Sequence, residues 1–443
     1  MSGGDSLAHH SIPLPGFPLH SPLTAHPPLP TTSAYADALA YLYPRVTQIK
    51  FGLDTTRALL GKIGDPHRVF PIVHVGGTNG KGSVTTLIAE ALRSAGWRVG
   101  VYTSPHLVSF RERIRVDGEP ISEVAVVSWL RRLRPLADRL EATFFETTTA
   151  IALADLAARG AEIAVVEVGL GGRLDSTNVV RPVVSVITKI ELDHQKYLGD
   201  TLEAIAREKA WIAKPGAPLI TGETRPEILR VVAVEARRAV QAGGGGPFAG
   251  IRVVPPDHRW EGPLGLAGSH QRRNAAIAKA ALEEIPAPWC PDPDAIAHGF
   301  ATAFIPGRLD RRGKWLFDVA HNPDGVGTLC AALGELDPPR PLHALVSILG
   351  DKAWPEMLVR LDQAIDRGVL TLAPTAEGRG WDLEWLRRWL KDPARPPARA
   401  QWSLVPDFHE AVERVQAGAG TVIVTGSFHT VGDVMSGLGM APL

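Results

Sequence analysis

The chain has 443 residues, enough for two or three domains with cores of their own. Its apolar fraction of 45% and charged fraction of 21% are those of an ordinary globular protein. The 47 basic residues are balanced by 47 acidic ones, which leaves no excess charge to neutralise a nucleic-acid backbone or an acidic membrane. Cys290 and Cys330 build neither a disulfide framework nor a four-cysteine zinc site, and they read as reduced thiols of a cytoplasmic protein. No apolar run approaches the roughly 20 residues of a membrane-spanning helix, and the N-terminus lacks a basic-then-apolar signal pattern.

Residues 1–34 repeat Pro and His without apolar periodicity and read as a flexible tail, because they bury too little surface to offset their ordering entropy. A start codon downstream of them would account for the segment equally well. From Tyr35 to about Ala303, short apolar strands alternate with amphipathic helices. Strands are expected at Phe70–Val75, Arg98–Thr103, Glu162–Val168 and Val183–Ile190, and helices at Ser83–Ala95, Glu123–Leu140, Thr148–Arg159 and Thr201–Ala213. The alternation predicts an α/β fold with a doubly wound, mainly parallel sheet that binds ligands at the carboxyl ends of its strands. Gly243–Gly246 reads as a loop tip.

A second α/β pattern begins near residue 304, after the prolines at 286, 288, 291 and 293. Its expected strands are Lys314–Asp318, His343–Ile348, Val369–Leu372 and Val422–Thr425, giving a smaller, Rossmann-like domain over 304–443 after a central domain over 35–303.

The strongest local signal is Val75-Gly76-Gly77-Thr78-Asn79-Gly80-Lys81-Gly82-Ser83, which follows a strand and opens a helix. Glycines let backbone amides close around phosphate oxygens, and the helix N-terminus adds a favourable dipole. Lys81 is expected on the β- and γ-phosphates and the Ser83 hydroxyl on Mg²⁺. The spelling departs from the usual phosphate loop, with Gly82 between Lys81 and Ser83. Glu167, at the end of the strand Ala164-Val165-Val166, offers a carboxylate beside this loop, and Mg²⁺ prefers oxygen ligands.

Thr-Asn-Gly-Lys-Gly-Ser after His-Val-Gly-Gly resembles the loop of the Mur ligases, and within them the folylpolyglutamate synthase/dihydrofolate synthase version. Lys50-Phe51-Gly52-Leu53, Leu59-Leu60-Gly61 and Thr425-Gly426-Ser427-Phe428 fit the same family, so the likeness runs from about residue 35 to the C-terminus. The resemblance implies an ATP site at Thr78, Asn79, Gly80, Lys81, Gly82, Ser83, Asn274, Arg308 and Asp318. It implies metal ligands at Ser83, Ser104, Glu167, His194 and Lys209, the last as a carbamylated lysine, although Trp211 stands where the family has glycine. From the residues alone, Lys209 reads as an exposed helix lysine, Ser104 as a turn residue and His194 as a hydrogen-bonded structural histidine.

A folate pocket is implied at Thr143, Phe144, Phe145 and Glu146 and at Leu174, Asp175 and Ser176; two core phenylalanines at a helix start are the alternative. Catalytic roles fall to Lys81, Lys209 and His321, with His321 orienting the incoming amino acid. The implied activity is ATP-dependent addition of L-glutamate to dihydropteroate or (tetrahydro)folate by a cytoplasmic, monomeric enzyme. Mg²⁺ is its cofactor, with room for a monovalent cation, and neither nucleic acid nor membrane is a partner. Two rivals remain: a Mur-type ligase acting on a cell-wall nucleotide peptide, and a nucleotide-switch protein without ligase chemistry.

Overall fold

The computed structural model describes residues 32–440 except 47, 49, 377 and 393–397, together with 442. Most of the expected tail, residues 1–31, lies outside the described residues, and residues 32–34 open a helix, Thr32–Leu42. Among the described residues no helix is long and apolar enough to cross a membrane.

Two sheets organise the chain. The first has eight strands: β1 Ile72–Gly76, β2 Val99–Tyr102, β3 Ile114–Val116, β4 Glu119–Pro120, β5 Ile163–Glu167, β6 Val184–Ile187, β7 Leu219–Thr221 and β8 Ile251–Val253. Their order is β4-β3-β2-β5-β1-β6-β7-β8, parallel throughout except for the antiparallel β3 and β4. β1, β5 and β6 are buried on both faces, as parallel strands covered by helices must be, and their sequences IVHVG, IAVVE and VSVI are accordingly apolar almost throughout. Val73 and Val75 pack on one face with Leu87 and Ile277, while Ile72, Ala164 and Val166 pack on the other with Ile151 and Tyr102. Helix Pro293–Thr302 crosses helix Lys81–Ser94 so closely that a Cβ on Gly299 would lie 2.5 Å from the Ala91 backbone. A larger residue at 299 would push the phosphate-loop helix off the sheet.

The second sheet holds β9 Asp310–Arg312, β10 Trp315–Phe317, β11 Leu342–Val346, β12 Arg367–Leu370, β13 Gln401–Leu404 and β14 Thr421–Thr425, in the order β13-β12-β11-β14-β10-β9. Only β9 is antiparallel. This is the two-sheet α/β architecture expected from the sequence. The strands it did not announce, β3, β4, β7, β8, β9 and β13, are edge or near-edge strands of two to four residues. β8 and β13 are largely solvent-facing, so neither carries a continuous apolar run.

Candidate active site

β1 sits between β5 and β6, with Val75 level with Glu167 on one side and Val186 on the other. The carboxyl ends of three strands therefore meet where the glycine loop begins. Gly77 and Gly80 have φ of +140° and +86°, conformations that side chains strain to adopt. A Cβ on Gly77 would collide with the Thr188 hydroxyl, and one on Gly80 would lie 2.7 Å from Asn274 Oδ1. Thr78 pins the loop to the segment after β6: its N–H donates to Lys189 O at 2.6 Å and its hydroxyl to Glu191 O at 3.1 Å. Lys81 Nζ folds back over the loop and donates to the carbonyls of Gly77 and Thr78 at 3.2 and 3.1 Å. Burial lowers its pKa, and Glu167 opposes that shift.

Glu167 is buried behind the loop, where burial raises its pKa against the pull of Lys81, and its Oε2 accepts from Ser104 N at 3.2 Å. His194 adopts a left-handed backbone (φ +52°) and lines the same cleft. Burial and then the charge of Lys352 push its pKa down to about 4, so at neutral pH its imidazole keeps a lone pair. Lys209 is only 4% exposed, against the reading of a solvent-facing lysine. Its Nζ donates to Gly77 O at 2.8 Å, and burial together with Lys81 lowers its pKa to about 7. Ser83 is buried in the first turn of helix Lys81–Ser94. Among the described residues no three His, Cys, Asp or Glu side chains form a ready-made metal cage. One carboxylate, one neutral imidazole and serine hydroxyls still suit Mg²⁺, which takes few protein ligands and keeps phosphate and water oxygens.

The second sheet closes this site from above. Arg308 lines the cleft, half-buried, its guanidinium carbon 5.5 Å from the Phe428 ring centroid. Asp318 is buried beside Arg308; its Oδ2 accepts from Leu309 N and its Oδ1 from Ala320 N, both at 3.0 Å, which holds the Arg308 loop. His321 Nδ1 donates to Val319 O at 2.9 Å, which leaves Nε2 3.6 Å from Asp193 Oδ2. Asp193 also meets Lys352 Nζ at 2.5 Å and Asn322 Nδ2 at 3.0 Å. Burial alone would raise its pKa; His321 and Lys352 overcome that and hold it well below the usual carboxylate range. The Asn79 side chain, expected at ATP, reaches Asp324 Oδ2 at 2.7 Å and Asn322, and Lys189 joins Asp324 at 2.6 Å.

Between the sheets lies a cleft of about 1340 Å³. Thr143, Phe144, Phe145, Leu174, Asp175 and Ser176 line it together with the glycine loop, Arg308 and His321. The Phe145 ring lies on Gly169, where any Cβ would overlap it, and stacks on Tyr102 at 6.1 Å. Glu146, 1% exposed, sits in a capping box, accepting from Thr143 N at 2.8 Å while Thr143 Oγ1 accepts from Glu146 N. This cap starts the helix at Phe144, four residues earlier than expected. Asp175 likewise caps the turn Ser176–Val179 and accepts from Leu170 N at 2.8 Å.

The Mur ligase middle-domain model matches residues 75–221, and the Mur ligase, glutamate ligase domain model matches residues 307–428. The folylpolyglutamate synthase of Lacticaseibacillus casei is 37% identical over 370 residues, covering 77% of this chain and 86% of that one. The chain belongs to the folylpolyglutamate synthase/dihydrofolate synthase family. It is thus an ATP-dependent acid–amino-acid ligase rather than a cell-wall Mur enzyme. Among solved structures, Escherichia coli FolC in complex with DHPP and ADP has a TM-score of 0.78 at 31% identity, covering 91% of this chain and 97% of that one. The bifunctional folylpolyglutamate synthase/dihydrofolate synthase of Yersinia pestis, complexed with AMPPNP and Mn ion, has a TM-score of 0.77 at 30% identity and covers 92% and 98%.

Against this synthase fold, sequence reasoning missed Asp193, Lys352, Asn322 and Asp324, which join the two sheets. Asp193 and Asn322 adjoin His194 and His321 in sequence, but their task needs a partner more than a hundred residues away, and no local pattern reveals that.

Proposed function

We propose that the chain joins L-glutamate to dihydropteroate, to a (tetrahydro)folate, or to both, through an acyl phosphate. A substrate carboxylate oxygen attacks the γ-phosphorus of ATP and ADP leaves. The glutamate amine then attacks the acyl carbon, loses its proton, and expels phosphate carrying one former carboxylate oxygen. The observation that carries this reading is the apposition, across one cleft, of a glycine loop with Lys81 and Arg308 from the second half of the chain.

In this scheme the loop amides and Lys81 hold the phosphates, and Asn274 meets the loop at Gly80. Arg308 meets the charge that develops on the transferring group, for which a planar multi-donor cation is suited. His321, which lines the cleft, orients the glutamate. Mg²⁺, when bound, polarises the phosphoryl oxygens, and Glu167, His194, Ser104, Ser83 and a carbamylated Lys209 would hold it. A lysine with its pKa near 7 has a neutral amine available to take up CO₂, releasing a proton and leaving a carboxylate-like ligand. Phe144, Phe145 and Leu174–Ser176 receive the pteridine side of the acid, as flat apolar walls suit a heterocycle. Residues 35–303 act as the nucleotide-binding domain and 304–443 as the glutamate-ligase domain, and their closure keeps water from the acyl phosphate.

With substrate labelled by ¹⁸O in its carboxylate, one label is expected in the released phosphate. Phosphate free of label would remove the acyl-phosphate step. ADP release measured with dihydropteroate, tetrahydrofolate and a cell-wall nucleotide peptide, each with amino acids, identifies the acid.

A further inference from the structure

The strand that leads into the phosphate loop carries a histidine to which none of these roles falls. His74 stands among the apolar side chains of β1, and its imidazole is fully buried. Its Nε2 lies 2.8 Å from Thr177 Oγ1, and among the described residues its Nδ1 has no hydrogen-bond partner. The Thr177 hydroxyl also meets Asp175 Oδ1, which accepts in addition from Thr177 N at 3.0 Å. Asp175 lines the cleft, and its other oxygen accepts from Leu170 N. A buried chain of side chains, His74 to Thr177 to Asp175, therefore runs from the core of the sheet to the pocket.

The chemistry of these groups fixes the direction of both bonds. Burial raises the Asp175 pKa, and the Thr177 hydroxyl is foremost among the groups that oppose the shift. A carboxylate only accepts, so the single hydroxyl proton of Thr177 goes to Asp175. The hydroxyl oxygen must then accept from His74, which places the imidazole hydrogen on Nε2. Burial, and then the charge of Lys214, pushes the His74 pKa down to about 3, so Nδ1 carries no proton and no buried donor is stranded. With its hydrogen on Nδ1 instead, the ring would draw the Thr177 proton to Nε2, and Asp175 would lose a donor. An aliphatic side chain would fill this strand position without an orphaned nitrogen, so packing alone does not account for the imidazole.

We propose that His74 is a positioning residue: through the Thr177 hydroxyl it holds the Asp175 carboxylate as an acceptor facing the bound acid. This rests on the folate-ligase reading above. His74 itself touches neither substrate, and its effect passes entirely through Thr177 and Asp175. β1 then serves both ligands, presenting the glycine loop to the nucleotide at its carboxyl end and bracing the acid's pocket from within the core.

Equilibrium binding of pteroate and pteroylglutamate in the presence of ADP and Mg²⁺ tests this, with ADP affinity measured alongside. The proteins are wild type, His74→Leu, His74→Gln, Asp175→Asn and the double variant His74→Leu/Asp175→Asn. His74→Leu is expected to weaken binding of the acids about fivefold or more, the scale of one hydrogen bond. His74→Gln, whose amide nitrogen can donate to Thr177, should keep most of the affinity. In the Asp175→Asn background His74→Leu should add about twofold or less, because the two residues act as one unit. The proposal is overturned if His74→Leu leaves acid binding intact, or if Leu and Gln weaken it equally, the mark of a packing role. It is overturned too if the loss persists in full beside Asp175→Asn, or if ADP affinity falls by the same factor. Should His74→Leu fail to fold, ¹⁵N spectra of histidine-labelled wild type decide. A neutral His74 with its hydrogen on Nε2 is expected, and a hydrogen on Nδ1 breaks the chain. Wild type binding neither acid while still binding ADP would instead defeat the folate reading, and the positioning role with it.

Discussion

The eight-stranded sheet brings its phosphate-binding groups to the cleft as one continuous piece of chain, whereas the six-stranded sheet brings its groups one at a time. In the first, residues 76–83 wrap a single turn whose amides, Lys81 and Ser83 lie side by side, braced by Thr188 and Asn274. In the second, Arg308, His321 and Lys352 stand on three separate connections, the first two fixed by local bonds and Lys352 by Asp193 of the opposite half. A phosphate cradle needs several amides a few ångströms apart, which only consecutive residues supply. A group that reaches in from the opposite side needs only charge and length.

If the cradle carries phosphate recognition and Arg308 adds charge to it, removing Lys81 should cost more than removing Arg308. Lys81→Ala is expected to lower kcat by about 10²–10³-fold, the loss typical of a preorganised charge at the reacting group. Arg308→Ala should lose less, with the thermal midpoint of both variants near that of wild type. Steady-state kinetics with saturating folate check this, and an equal or larger loss for Arg308→Ala would reverse the ranking.

The next largest effect is expected at Lys209, buried under the cradle. Lys209→Ala should lower turnover by roughly 10²-fold, and added formate or acetate should restore part of it by occupying the carbamate's place. The pKa near 7 sets the sign of the pH dependence. Below it the amine is an ammonium and takes up no CO₂; above it the free amine predominates. CO₂-depleted enzyme should therefore regain activity with bicarbonate more fully at about pH 8 than at about pH 6. Indifference to CO₂ at both would exclude the carbamate.

The buried Asp193–Lys352 pair, with side chains 7% and 9% exposed, tests the join between the sheets. Lys352→Met strands a buried carboxylate and should cost about 3 kcal/mol in denaturant unfolding, with Asp193→Asn in the same chain recovering part of it. Asp193 has its pKa depressed in the fold, so the pair's contribution is fully present above the unfolded value of about 3.9. It is lost as pH falls through the lower folded value. The stability difference between wild type and Lys352→Met should stay constant from about pH 8 to pH 5 and shrink below about pH 4. A difference that grows on acidification would contradict this assignment.

The same contrast governs what could be read in advance. The core strands β1, β5, β6, β11 and β14 were legible because burial on both faces leaves an apolar run, and the loop was legible because its glycines are contiguous. The edge strands were not, since solvent on one side permits β8 its Arg252 and β13 its Gln401. In the site, Glu167 could be found from its place at a strand end. Lys209 could not, because its burial is made by Gly77 and Gly172 packing over it, contacts remote in sequence. Asp193 and Lys352 were invisible for the same reason.

Glu146 shows the converse, a residue whose motif pointed to ligand and whose geometry points to the backbone. Its carboxylate and the Thr143 hydroxyl satisfy two amides that the start of helix Phe144–Ala158 would otherwise leave unpaired. Glu146→Ala should therefore act on stability, by roughly 1–2 kcal/mol, the scale of a lost cap in a buried setting. Its KM for the pteroyl substrate should change by about twofold or less, since no uniform binding contact is removed. Phe145→Ala, at the ring that lines the cleft over Gly169, should do the opposite and raise that KM severalfold. A Glu146→Ala enzyme with normal stability and a raised KM would return the carboxylate to the substrate pocket.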